Sequence, residues 1–145
     1  MRLIGFSIAK DFIALEQGDS RFDLHNNFDF QSVSYTPSRQ ALELNWHRGN
    51  GNWIRPSEPF ELSLVFSGVY LFKVQERDLE IPFTEDNCLG SLGFMWEDLV
   101  TEMRGFTSNI PSEGCRHFIA NFMSGFSVKI GAESVVLRVS NEFTL

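Results

Sequence analysis

The sequence predicts a mainly β (α+β) domain: an antiparallel sandwich or open barrel of about seven to nine strands, with one short helix near 94–104. Three observations carry this. Residues 41–47 alternate strictly between apolar and polar side chains, the pattern of a half-buried antiparallel strand, and 60–66 alternate again with Glu61 and Ser63 outward. Turn residues recur about every eight to twelve positions. Aromatic residues make up 14% of the chain, with 15 Phe. Such side chains suit a pleated, half-buried surface.

The elements follow in order. Ile4, Phe6 and Ile8 alternate and suggest a first strand, and residues 10–16 either continue it or pair back. A helix through Ile4, Ile8, Phe12 and Leu15 fits the same spacing, although Gly5 weighs against it. Gly18-Asp19-Ser20 signals a turn. Residues 28–35 are aromatic and β-branched, and Pro37-Ser38 stops them. In 41–47, Leu42, Leu44 and Trp46 share one face, with Glu43, Asn45 and His47 on the other. Gly49-Asn50-Gly51-Asn52 is a loop. In 60–66 the inward set is Phe60, Leu62, Leu64 and Phe66; Ser67-Gly68 turns the chain into a strand at 69–74.

The middle of the chain supports two readings. Pro82 keeps Ile81 extended. Leu92, Trp96, Leu99, Val100 and Met103 follow helical spacing, with Gly105 where a C-terminal cap falls. The rival is a strand from 92 to 96, because Phe94 and Trp96 alternate with Gly93 and Met95. Further strands follow around Phe118, Ala120 and Phe122, then Phe126, Val128 and Ile130, then Val135, Leu137 and Val139. No repeat, low-complexity tract or linker interrupts the 145 residues, so one domain over 1–145 is expected.

Composition narrows the function. The chain is 43% hydrophobic and 21% charged, which excludes disorder. No secretory signal is expected at the start, where Lys10 and Asp11 break a short apolar run. No stretch reaches the roughly 18 apolar residues of a membrane span. Cys88 and Cys115 are read as free thiols in a reducing cytoplasm. The net charge of −7 argues against nucleic acid or an anionic membrane as partner. That charge is concentrated. Residues 76–102 hold eight acids (Glu76, Asp78, Glu80, Glu85, Asp86, Glu97, Asp98 and Glu102) against Arg77 alone, a net of −7, and the remainder is balanced.

The sequence carries few signatures of chemistry. There is no Cys-x-x-Cys or His-Glu-x-x-His; Cys115-x-His117 is a lone pair, and a strand-edge His beside a small buried Cys explains it more simply. No metal and no cofactor are expected. No signature flanks either Cys, and no Gly-x-Ser-x-Gly elbow exists. Gly90-Ser91-Leu92-Gly93 lacks the Lys of a phosphate loop. Acid pairs at 78/80, 85/86 and 97/98 are more often solvated surface than acid–base machinery. The stretch with His47, Arg48, Trp53 and Arg55, near Arg39, has the residue types of a single-strand track. A hairpin loop whose Trp folds back is the commoner arrangement. His25 suits a loop hydrogen bond. No catalytic residue is assigned.

Some segments fall in a familiar order. Leu24-His25-Asn26 leads into strand 28–35, a Pro-Ser turn and strand 41–47. The run from Pro59 to Val69 follows. Near the end come 116–122, a Ser-Gly turn, 126–130 and 135–139. Over about half the chain this resembles the small bacterial domains grouped as immunity proteins of polymorphic toxin systems. Such domains often carry His-Asp where this chain has His25-Asn26. The resemblance implies a cytoplasmic, non-catalytic protein that binds and blocks a partner.

The leading expectation is therefore a binding protein that neutralises a basic protein. Glu76, Asp78, Glu80, Glu85 and Asp86 would supply charge, and Phe83 and Trp96 would be anchors. The alternatives are a small-ligand or carbohydrate-binding β-domain with exposed aromatics in a cleft, a homodimer or other structural oligomer, and an enzyme in which a His meets a carboxylate or Cys inside a pocket.

Overall fold

The computed structural model describes residues 1–105 and 107–141. Twelve strands are present there: β1 (Arg2–Ile4), β2 (Ser7–Ile8), β3 (Ala14–Gln17), β4 (Ser20–Asp23), β5 (Phe28–Thr36), β6 (Ala41–Arg48), β7 (Glu61–Ser67), β8 (Leu71–Gln75), β9 (Leu89–Met95), β10 (His117–Phe122), β11 (Ser127–Gly131) and β12 (Ser134–Ser140). Two 3-10 turns, Pro37–Arg39 and Phe83–Asn87, are the only helical pieces among the described residues. A five-stranded sheet runs β1-β12-β7-β6-β5, a four-stranded sheet β8-β11-β10-β9, and a small sheet β2-β3-β4. Every pairing is antiparallel except β1 with β12. This is a β-rich sandwich, not a closed barrel.

The strand count exceeds the expected seven to nine because the N-terminal region folds more tightly than its pattern shows. Gly5, at φ 76, breaks the first alternation into β1 and β2. Gly18, at φ 59, turns β3 back on β4. Positive φ suits glycine, which lacks the Cβ clash.

One buried cluster draws on all three sheets. The alternating faces read from the sequence supply it. Leu42, Leu44 and Trp46 meet Leu62, Leu64 and Phe66 within the large sheet, and all are almost solvent-free. Across the sandwich lie Leu92, Phe94, Phe118, Val128 and Ile130. Phe66 and Phe118 bring their rings to 5.1 Å. Burying each such side chain contributes roughly 1.5–3 kcal/mol.

Strand β5 keeps its register with a device the sequence does not advertise. Phe30 pairs with Trp46 and Ser32 with Asn45, so Gln31 is an extra residue in a bulge. Phe28 and Phe30 turn inward before it, and Val33 and Tyr35 turn inward after it. Without the bulge the second pair would face solvent.

The helix expected near 94–104 is absent. Leu89–Met95 is strand β9, in register with β10 from His117↔Met95 to Ala120↔Leu92. The rival strand reading describes this segment. The helical spacing misled because it joined residues of different fates: Leu92 is fully buried, while Trp96, Leu99 and Val100 are exposed. A neighbouring strand outweighs local propensity. Gly93 fits the strand because Ser108 passes so close that a Cβ would stand 2.8 Å from its carbonyl oxygen.

Beyond β9 the chain forms a strap over the outer face of the four-stranded sheet. There Gly93, Ile119, Lys129 and Lys73 form one row. Lys129 is fully buried; its Nζ donates to Leu99 O (2.6 Å) and Glu102 O (3.0 Å). Lys73 Nζ donates to Val100 O at 2.7 Å. Two ammonium groups thus hold three strap carbonyls, which answers the cost of burying charge.

Candidate protein-binding surface

The connection between β8 and β9 carries most of the expected site. Its backbone is fixed to the β10–β11 turn. Asp78 N donates to Ser124 O (2.8 Å), and Met123 N to Cys88 O (2.9 Å). Arg77 braces it from within: its Nε reaches both oxygens of Asp86 (3.0 and 3.1 Å), and its Nη2 the carbonyl of Ile81 (2.5 Å). Hydrogen bonding from Ser124, and then Arg77, holds the Asp86 carboxyl below its ordinary range. Asp78 Oδ1 accepts from Glu80 N at 2.9 Å, a local Asx turn. The loop is long but built, in the manner of a packed surface loop.

That scaffold holds two large apolar side chains out of the core. Leu79 is 88% exposed and Phe83 75%. Glu76, Asp78 and Glu80 are exposed, and Glu85 and Asp86 half-exposed, on the same loop. Among these five carboxylates only Asp86 has an ion-pair partner among the described residues. Beside the loop lies a groove of about 420 Å³, walled by Phe83, Thr84, Asp86 and Asn87, with Phe30, Gln31 and Phe126 opposite. Its aromatic wall continues inward, with Phe30 to Phe122 at 4.5 Å and Phe122 to Phe126 at 5.5 Å. A second groove, of about 300 Å³, sits between Asp78, Ile81, Met123 and Arg104.

The structure therefore gathers Glu76, Asp78, Glu80, Phe83, Glu85 and Asp86 on one loop. Trp96 does not join them. It follows the far end of β9, about 20 Å of strand away, beside Gly114. The acidic excess is likewise divided. Glu97 is paired with Arg116 at 2.9 Å, and Glu102 accepts from the Arg104 amide at 2.8 Å. Leu79 was missed as an anchor, although a Leu between two acids in a loop is itself a signal. Phe126 and Phe30 were read simply as strand residues. Only the folded arrangement shows that they line a groove.

The other expected constellations are dispersed. Trp46 is fully buried, while Trp53 folds onto the 23–27 turn, its Nε1 donating to Asn26 O at 3.2 Å. With Trp96 elsewhere, the three tryptophans line no common cleft. Arg48 stacks over Phe60 (4.3 Å) and donates to the carbonyls of Pro56 and Glu58. That removes it from any track for a nucleic acid. His47 Nε2 lies 3.2 Å from Glu61.

His25 meets Cys88, with Sγ 3.6 Å from Nδ1. The same Nδ1 lies 2.5 Å from Leu89 O, a group that only accepts, so Nδ1 carries a proton there and cannot take one from the thiol. Burial, then Glu85 and Asp29, push the Cys88 thiol above its ordinary range. An activated thiolate needs the opposite setting. No group of three or more His, Cys, Asp or Glu could hold a metal among the described residues. No helix there is long and apolar enough to cross a membrane.

Comparison with protein-family models, with curated proteins and with solved structures gives no match for this chain. Its class rests on what the fold and the site define: a β-sandwich that presents a braced acidic loop with exposed apolar side chains.

Proposed function

We propose that this chain is a non-catalytic binding protein of the immunity type, which neutralises a basic protein partner through the 76–88 loop and the groove beside it. The observation that carries the reading is the pairing of Leu79 and Phe83, both largely exposed, with carboxylates on a loop braced by Arg77. An apolar side chain held in water by a rigid support matches an interface anchor. The acids around it would steer a cationic partner and reject an anionic one. The free thiols of Cys88 and Cys115 suit work in a reducing cytoplasm.

The test is affinity capture from the native lysate at low and high salt. It is run with the wild-type chain, with Leu79→Ala/Phe83→Ala, and with Asp78→Lys/Glu80→Lys/Glu85→Lys. The expected result is a basic protein that salt releases and that both variants lose, with affinity down roughly thirtyfold or more for the apolar pair. A partner retained equally by both variants, or no partner at all, overturns the reading.

A further inference from the structure

The edges of the three sheets are blunted in several ways, and β5 is the exception. β1 and β2 are three and two residues long. β4 carries Arg21 and Asp23. β8 carries Lys73 at its centre. The outer edge of β9 is covered, because Phe94 and Ser108 exchange backbone hydrogen bonds of 2.7 and 2.8 Å. Short strands, charges and covers are the usual protections against edge-to-edge pairing. β5 has nine residues and is the outermost strand of its sheet. The groove beside the 83–87 turn borders its start at Phe30 and Gln31. Beyond that the sequence Ser32-Val33-Ser34-Tyr35-Thr36 is uncharged, and nothing pairs with its outer side among the described residues.

We propose that this stretch pairs antiparallel with the same stretch of a second copy, about a two-fold axis at Ser34. The backbone directions set the register. Gly49 N donates to Asn27 O, whereas Arg48 N donates away from β5, to Phe60 O, both at 2.8 Å. Following that alternation through the Gln31 bulge, Ser32, Ser34 and Thr36 turn their amides toward β6, and Val33 and Tyr35 turn theirs outward. A two-fold axis at Ser34 sets Val33 opposite Tyr35 of the second copy, twice, and each such pair exchanges two hydrogen bonds.

The side chains agree with that register. Val33 against Tyr35 is a β-branched–aromatic pair, and Ser32 against Thr36 is a hydroxyl pair, both favoured across strands. Ser34 faces itself with no charge to repel. Pro37, with no amide hydrogen, ends the ladder. A second copy is the natural occupant because the strand complements itself.

Sedimentation equilibrium over a concentration series reaching the millimolar range tests this, with a melting curve for each variant. Wild type is expected to approach twice the 16.6 kDa of one chain. Ser34→Glu places like charges face to face and is expected to weaken the dimer at least about tenfold while leaving the melting curve in place. A second probe does not rely on that variant folding well. Ser34 faces Ser34 in a non-hydrogen-bonded pair, with Cα atoms about 4.5 Å apart, within reach of a disulfide. Ser34→Cys should therefore crosslink to itself under mild oxidation. Ser32→Cys and Thr36→Cys should crosslink only when mixed, with wild type as the background for Cys88 and Cys115. A monomer at every concentration, a dimer that Ser34→Glu leaves intact, or Ser32→Cys linking to itself as readily as Ser34→Cys overturns the proposal.

Discussion

His117 enters the fold with its Nδ1 buried and without a hydrogen-bond partner. Burial is the main reason its pKa falls below the ordinary value near 6.5; Lys129, Arg116 and Lys73 push the same way, and Glu97 opposes them. The imidazole is therefore kept neutral in the folded chain, while the unfolded chain takes up its proton at about 6.5. The contribution to stability is complete above that value and is lost as the pH falls through the lower, folded pKa. Urea unfolding from roughly pH 7 to pH 5 should show a falling midpoint, and His117→Phe should flatten that slope. An unchanged slope would place the acid sensitivity elsewhere, with Asp86 the next candidate on a lower pH range. None of this was legible in the sequence, where His117 is a polar residue at a strand edge. Gly93 was equally opaque, because its need for a missing Cβ comes from Ser108, fifteen residues later.

The strands whose two faces differ were legible: β6 and β7 fold as their alternation says, with Trp46 and Phe66 inward. Segments whose neighbours decide the outcome were not. The strap after β9 is one of these, since its exposed Leu99 and Val100 resemble a helix face only when the sheet beneath is ignored. What fixes the strap is Lys129, a residue that reads as solvent-facing in any strand pattern. Lys129→Met keeps the volume but leaves the carbonyls of Leu99 and Glu102 without their donor. Unmet buried acceptors of charged donors cost more than ordinary ones, so stability should fall by about 2 kcal/mol. Trypsin should also cut faster at Arg104, which the strap carries. Faster cleavage without a loss of global stability would mean that the strap opens independently of the sandwich. The 76–88 loop was half legible in the same sense. Its charges are visible in the sequence, but its rigidity depends on Arg77 spanning nine residues to Asp86.

At the scale of the molecule, the first and last strands meet. β1 lies parallel to β12 and closes one side of the large sheet, so a pairing between residues about 132 positions apart completes the fold (Arg2↔Ser134). The sequence predicted an antiparallel architecture, and its alternation gives no sign that the first strand would join the last. Strand periodicity names the faces of a strand but not its neighbours. Such pairing closes the longest loop in the molecule, and non-local β contacts of this kind slow folding. The pairing also protects β12, whose far side would otherwise be a seven-residue edge with Val136 exposed. Arg2 N donates to Glu133 O at 3.0 Å, which fixes the direction of the ladder and turns the Ile4 amide to the same side. Ile4→Pro removes that donor without disturbing a buried side chain, since Ile4 is 43% exposed. The expected loss is about 1–3 kcal/mol in urea unfolding, together with concentration-dependent light scattering from the uncovered β12. If the midpoint holds and scattering does not rise, β1 is an ornament on a sheet that β7 and β12 already complete. If both change together, β1 and β12 act as one element, and no shorter piece beginning after β1 keeps the edge closed.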